Sequence, residues 1–214
     1  MRRPAFIARQ ASHPSGLVGR LLLRVMARET GRFNAEILDR LEPGTGEDIL
    51  EVGYGHGRTL ATAAERAPDA RFAGIDISED ARLAASRRCR ALLASGRLDL
   101  RVGESSRLPW DAGVFDKVFS VNTLYFWSEP VRDLGEIRRV LRPDGRLVLG
   151  FHERSDAVLA TFPSPTYRFH SAAEVATLLA RAGFEAVDVV EASAGPGLCL
   201  AVAGARRREP RKGD

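Results

Sequence analysis

The stretch Asp48-Ile49-Leu50-Glu51-Val52-Gly53-Tyr54-Gly55-His56-Gly57-Arg58-Thr59-Leu60 decides how the chain is read. Ile49, Leu50 and Val52 form a short apolar run of the kind that becomes a strand buried on both faces of a parallel sheet. Gly53, Gly55 and Gly57 then fall at every second position, removing side chains where the backbone turns sharply and where a ligand can lie against the main chain. A helix opens directly after them. Its free N–H groups and positive dipole end point into the same space, which suits a carboxylate or phosphate.

The spacing separates two kinds of ligand. A dinucleotide fold asks for G-x-G-x-x-G, whereas this pattern closes one residue earlier and Arg58 stands where the third glycine would be. Glu51 adds a negative charge at the strand end, which repels a pyrophosphate and attracts an ammonium or sulfonium. A zwitterionic cofactor is expected, and a nicotinamide enzyme is disfavoured. With Glu51 followed by Gly53, Gly55 and Gly57, the loop resembles the first motif of the class I S-adenosylmethionine-dependent methyltransferases, an acidic residue followed by G-x-G-x-G. The resemblance implies that Glu51, Gly53, Tyr54, Gly55, His56 and Gly57 bind S-adenosylmethionine and its product S-adenosylhomocysteine.

Downstream, residues 71–76 read as a second strand ending in Asp76, roughly twenty residues beyond Gly53, where a doubly wound fold presents a carboxylate to ribose hydroxyls. Gly74-Ile75-Asp76-Ile77-Ser78 resembles the family's second motif and brings Asp76 and Ile77 to the cofactor. A helix over 79–93 leads to a third strand at 98–102. There Glu104 and Ser105 stand where the family commonly has Gly-Asp-Ala at the adenine edge, a match by type and not by identity. The fourth strand, 115–121, is followed by Asn122, placed for backbone or cofactor hydrogen bonding, and by Tyr125-Phe126-Trp127, read either as core or as an aromatic wall beside the reactive methyl group. Asn122 and Tyr125 share the first and last residues of the Asn-Pro-Pro-Tyr motif of amino-group methyltransferases; without the prolines it is not that motif.

Leu141-Arg142-Pro143-Asp144-Gly145-Arg146-Leu147-Val148-Leu149 resembles the family's helix end, turn and fifth strand. His152 follows at the strand end and is the leading candidate for a general base, with Tyr125 and His170 behind it. The loop to His170 is long enough to suggest a substrate-facing cover. Ser171 and Glu174 make a capping box for a helix through Arg181. Strands at 185–190 and 198–203 flank Gly195-Pro196-Gly197 as a hairpin. The expected fold is a Rossmann-like α/β three-layer sandwich with a seven-stranded, mainly parallel sheet whose last strand is antiparallel, inserted between the fifth and sixth.

The resemblance covers about residues 46–204, the methyltransferase domain. Residues 1–45 are expected to form an N-terminal helical lid or extension, including a basic amphipathic helix over 17–28 and a second helix over 33–41. Residues 205–214 are expected to be a basic flexible tail. At 214 residues, 44% hydrophobic and 28% charged, the chain fits one well-filled soluble domain. The net charge of +4 is modest and partly terminal, so no nucleic-acid partner is expected. No apolar run is long enough to span a bilayer, although the basic helix admits membrane-surface contact. Cys89 and Cys199 lie far apart with no metal-ligand spacing, which fits a reduced, cytoplasmic protein without a metal site. The implied activity is in-line methyl transfer to a small molecule. A lipid or macromolecular acceptor, or a non-catalytic cofactor-binding protein, are the alternatives. The acceptor atom and the oligomeric state are not encoded in these motifs.

Overall fold

The computed structural model describes residues 31–162 and 167–205. The basic helix expected at 17–28, the two prolines of the cover loop and the arginine-rich tail lie outside them. Seven strands form one sheet: β1 (Asp48–Val52), β2 (Arg71–Asp76), β3 (Leu98–Val102), β4 (Phe115–Val121), β5 (Leu141–His152), β6 (Phe184–Glu191) and β7 (Leu198–Ala205). Their order is β3-β2-β1-β4-β5-β7-β6. The chain thus runs outward from β1 to β3 and then returns to the other side of β1, making a topological switch point between β1 and β4. The pairings β1–β2, β2–β3, β1–β4 and β4–β5 are parallel, and β7 is antiparallel to both β5 and β6. This is the sheet expected from the sequence.

Alternation along the strands sends successive side chains to opposite faces. Leu50 and Val52 of β1 join one core with Leu134, Ile137, Val175 and Leu179, contributed by α5 (Pro130–Val140) and α7 (Ala172–Arg181). Ile49 joins the other core with Phe33, Ile37, Leu60, Ala63 and Ala81, from α1 (Gly31–Leu41), α2 (Arg58–Arg66) and α3 (Glu79–Arg88). Each helix is apolar on the stripe that meets the sheet. The result is a three-layer sandwich. Glu51, two residues on from Ile49, is directed by the same alternation toward the layer that holds α1 and α2.

The amino ends of the strands are tied by charge. Asp48 accepts from Arg71 (2.7 Å) and Arg142 (2.9 Å), and its backbone N–H donates to Asp116 (2.8 Å), which also pairs with Arg142. The guanidinium groups of Arg71 and Arg142 hold the Asp48 carboxyl below its ordinary range despite partial burial. This network lies opposite the carboxyl ends that carry the motifs.

Three local expectations are corrected. The helix expected over 79–93 is two, α3 and α4 (Arg90–Ala94), separated at Cys89. Cys89 packs beneath the glycine loop with its Sγ donating to Gly57 O at 3.4 Å, and its φ of −96° and ψ of 24° turn the chain there. The turn at Arg142-Pro143-Asp144-Gly145 is absorbed into β5 as an irregularity in the β4–β5 register, with Asp144 at φ 66°. The loop after β5 contains a short helix, α6 (Asp156–Thr161), started by Ser155, whose side chain accepts from Val158 N. The capping box at Ser171 and Glu174 is present as expected.

Helix α1 sits on the sheet because Gly150 of β5 leaves room for it. A Cβ at Gly150 would stand 2.4 Å from Ile37 Cδ1 and 2.9 Å from the Phe33 ring. Gly150→Ala is therefore expected to destabilise the protein by about 1–3 kcal/mol through overpacking. The midpoint of chemical denaturation should fall accordingly; an unchanged midpoint would show that α1 is not seated against β5 as described.

Candidate cofactor and acceptor site

The residues singled out in the sequence gather along one edge, at the carboxyl ends of β1, β2, β3, β4 and β5. The loop after β1 is fixed first. Gly53, Gly55 and Gly57 have φ of 79°, 52° and 73°, a region that favours glycine. At two of these positions the missing side chain makes room for protein, not for ligand. A Cβ at Gly53 would stand 2.2 Å from Thr123 Cγ2, and one at Gly57 would stand 2.9 Å from Ala85 Cβ and 3.2 Å from Cys89 Sγ. The expectation that every glycine serves ligand approach is corrected there: Gly53 lets β1 meet the end of β4, and Gly57 lets the loop meet α3.

The loop is then held from β2. Asp76 Oδ2 accepts from Gly55 N and Oδ1 from Ser78 N, both at 2.9 Å. Ile77, immediately after Asp76, is 43% exposed, an apolar side chain displayed beside a carboxylate.

Beneath the loop, Glu51 is 2% exposed. Leu60 N and the Thr59 hydroxyl at the start of α2 lie near enough to favour its ionised form, while Oε2 has no hydrogen-bond partner. Burial, reinforced by the charge of Asp76, raises its pKa well above the ordinary carboxylate value. Asn34 Nδ2 of α1 donates to Thr59 Oγ1 at 2.9 Å.

Other residues fall into place unevenly. The Tyr54 side chain is buried in the core shared with α1 and α2, and its hydroxyl donates to Arg101 O at 3.1 Å. Only its backbone lies along the loop. His56 Nδ1 accepts from Arg58 N at 3.4 Å and Nε2 is buried without a partner. Burial, together with the charges of Arg88 and Arg58, pushes its pKa down to about 4, so the imidazole is neutral at pH 7. Glu104 is exposed and accepts from Ser106 Oγ at 3.3 Å. The Ser105 hydroxyl turns away to the buried Asp133 of α5, at 2.5 Å, leaving its backbone for the site.

Asn122 sits at φ 59°, its N–H donating to Gly150 O at 2.8 Å and its Oδ1 buried without a partner. Tyr125 is 6% exposed, its ring centroid 4.7 Å from Phe126, 5.0 Å from Phe169 and 5.5 Å from Tyr167. The structure makes it part of a packed aromatic cluster, as the core reading of Tyr125-Phe126-Trp127 expects. His152 ends β5, half-buried, with its ring 6.4 Å from that of Phe162 at the border of the same cluster. His170 Nε2 is buried without a partner and burial lowers its pKa, while its carbonyl accepts from Arg154 N at 2.9 Å.

Sequence reasoning missed Thr59, Asn34, Ser120 and Thr123. Ser120, 1% exposed, donates to Val52 O at 2.7 Å and contacts Thr123 Oγ1, fastening the two strand ends that flank the switch point. A serine inside the apolar run Val118-Phe119-Ser120-Val121 was the available signal. Together, the unpartnered oxygens on Glu51 and Asn122, the exposed Ile77 and the carboxylate of Asp76 beside it fit a ligand with cationic, hydroxylic and flat apolar parts. S-adenosylmethionine has all of these.

A family profile described as a methyltransferase domain matches residues 50–149. The uncharacterized methyltransferase YdaC of Bacillus subtilis (strain 168) is 30% identical over 166 residues, spanning 77% of this chain and 86% of that protein. An O-methyltransferase of Pyrenophora dematioidea is 29% identical over 174 residues, spanning 76% of this chain but only 63% of its own length. Among solved structures, a SAM-dependent methyltransferase from Aquifex aeolicus superimposes with a TM-score of 0.70 at 22% identity, covering 96% of this chain and 100% of that one, a likeness of fold. On motifs, topology and relatives alike, the chain belongs to the class I S-adenosylmethionine-dependent methyltransferases.

Proposed function

We propose that the protein transfers a methyl group from S-adenosylmethionine to an oxygen of a small molecule by in-line displacement. The observation that carries this reading is the β1–α2 loop with Glu51 buried behind it, one carboxyl oxygen lacking a donor, and Asp76 gripping the turn at Gly55. The name of the Pyrenophora dematioidea relative, an O-methyltransferase, supports oxygen as the acceptor atom. The bound cofactor would supply an electrophilic methyl group on a sulfonium.

The chain's own residues then divide the work. Glu51 offers an acceptor to the ammonium end, and the carboxylate of Asp76 faces the ribose hydroxyls. Ile77 covers one face of the purine, with Glu104 and the Ser105 backbone at its edge. Asn122 and His56 contribute their unpartnered atoms, and the Gly53, Tyr54, Gly55 and Gly57 backbone lines the approach. The aromatic cluster of Tyr125, Phe126, Phe162, Tyr167 and Phe169 forms an apolar wall beside His152, which suits an acceptor with a flat or apolar body. A hydroxyl acceptor benefits from a base, and His152, at the end of β5 beside this wall, would take that proton on an imidazole nitrogen. Alignment of acceptor oxygen and methyl carbon supplies most of the remaining rate.

The test is to incubate the protein with S-adenosylmethionine and a panel of hydroxylated aromatic and aliphatic compounds, following S-adenosylhomocysteine and methylated product by mass spectrometry. Product gaining one methyl on oxygen supports the reading; methylation confined to nitrogen, carbon or sulfur contradicts the acceptor assignment. Asp76→Ala should weaken S-adenosylmethionine binding by at least ~1.5 kcal/mol, since it removes charge-assisted bonds to ligand and loop together. Calorimetry showing unchanged affinity would take Asp76 out of the site. His152→Ala should lower turnover by about a hundredfold or more while sparing cofactor affinity; unaltered turnover would rule it out as the base.

A further inference from the structure

The first helix carries a polar residue whose bonding is only half complete. Asn34 Nδ2 donates to Thr59 Oγ1 at 2.9 Å, and the same Thr59 neighbours Glu51. With its NH2 on Thr59, the amide turns its carbonyl oxygen elsewhere. Asn34 Oδ1 is nonetheless buried without a donor, as is Glu51 Oε2. Two buried oxygens without a partner therefore lie on side chains that share the neighbour Thr59. A buried oxygen left unpaired is costly, so two on side chains that share a neighbour suit a donor with several N–H groups and no lone pair. An ammonium has that character.

We infer that Asn34, on α1 and outside the matched methyltransferase segment 50–149, is a cofactor-binding residue whose Oδ1 accepts from the α-ammonium group of S-adenosylmethionine alongside Glu51 Oε2. This rests on the cofactor assignment above. It gives the region before the glycine loop a direct part in the site. α1 is well fixed for that part: Phe33 and Ile37 pack on Gly150, and Glu36 accepts from Ser193 N, Ser193 Oγ and Ala194 N at 3.0, 3.0 and 3.1 Å, anchoring the helix to the β6–β7 hairpin. Asn34 is thus held between two anchors, and its position does not depend on the ligand.

The test is calorimetric titration of the full chain, unsubstituted and Asn34→Ala, with three ligands. These are S-adenosylhomocysteine, its desamino analogue, and 5′-methylthioadenosine, which keeps the nucleoside but lacks the amino-acid chain. Alanine is a strong helix former, so α1 should persist; near-ultraviolet circular dichroism checks this. If alanine does disturb the fold, Asn34→Gln keeps the amide but displaces it by a methylene and should give the same pattern. The expected result is about a tenfold or greater loss of S-adenosylhomocysteine affinity with the other two ligands unaffected. An unchanged affinity for all three, or an equal loss for all three, would overturn the assignment, the second by showing a purely structural role. Failure of the unsubstituted protein to bind S-adenosylhomocysteine would instead remove the cofactor reading, and the assignment with it.

Discussion

A carboxyl group buried at the end of β1 is the constraint around which this protein is arranged. Glu51 is 2% exposed, and an ionised carboxylate in such a place is expensive unless it is hydrogen-bonded and paired. The start of α2 brings Leu60 N and the Thr59 hydroxyl near it, and their help to the ionised form is smaller than the penalty of burial. Its pKa is raised accordingly. The sign of the consequence follows: a group that holds its proton more tightly when folded favours the fold most below the ordinary carboxylate range. That contribution is lost as pH rises toward its folded value. A cation beside Glu51 would reverse the shift, so ligand charge and protein stability are linked at this one residue.

The sheet divides its two edges between strength and function. At the amino ends, Asp48, Arg71, Asp116 and Arg142 lock β1, β2, β4 and β5 together. At the carboxyl ends the strands are fastened only as far as needed to shape a site: Ser120 to Val52, Asp76 to Gly55, Asn122 to Gly150. The polar atoms left over there, on Glu51, Asn34, His56 and Asn122, are unpartnered and buried. Buried polar groups without partners are uncommon in folded proteins, and their collection at the switch point is what a polar ligand would resolve.

The topology was legible because it rests on short-range signals. An apolar run, a glycine turn and a helix start at 48–60, an aspartate ending the next strand, and a hairpin near the chain's end define the sheet order. The finer errors share a cause, namely side-chain direction and contacts set by elements distant in sequence. Nothing around Tyr54 announces that its ring turns into the core toward Arg101, because loop torsions decide that. Gly53 and Gly57 looked like ligand-facing glycines, yet Thr123, Ala85 and Cys89 come from later elements. The pattern over 79–93 continues through Cys89 without a breaker, so the division into α3 and α4 was hidden. Asn34 offered no motif at all; a single polar residue on an amphipathic helix gains meaning only when Thr59 and Glu51 are brought beside it.

The central claim, that this loop is built for a zwitterionic sulfonium cofactor and not for a dinucleotide, is tested most directly by calorimetric titration of the purified protein with S-adenosylhomocysteine and, separately, with NAD. The account predicts saturable one-to-one binding of S-adenosylhomocysteine and no heat of binding with NAD. Binding of NAD, or of neither ligand, would contradict it.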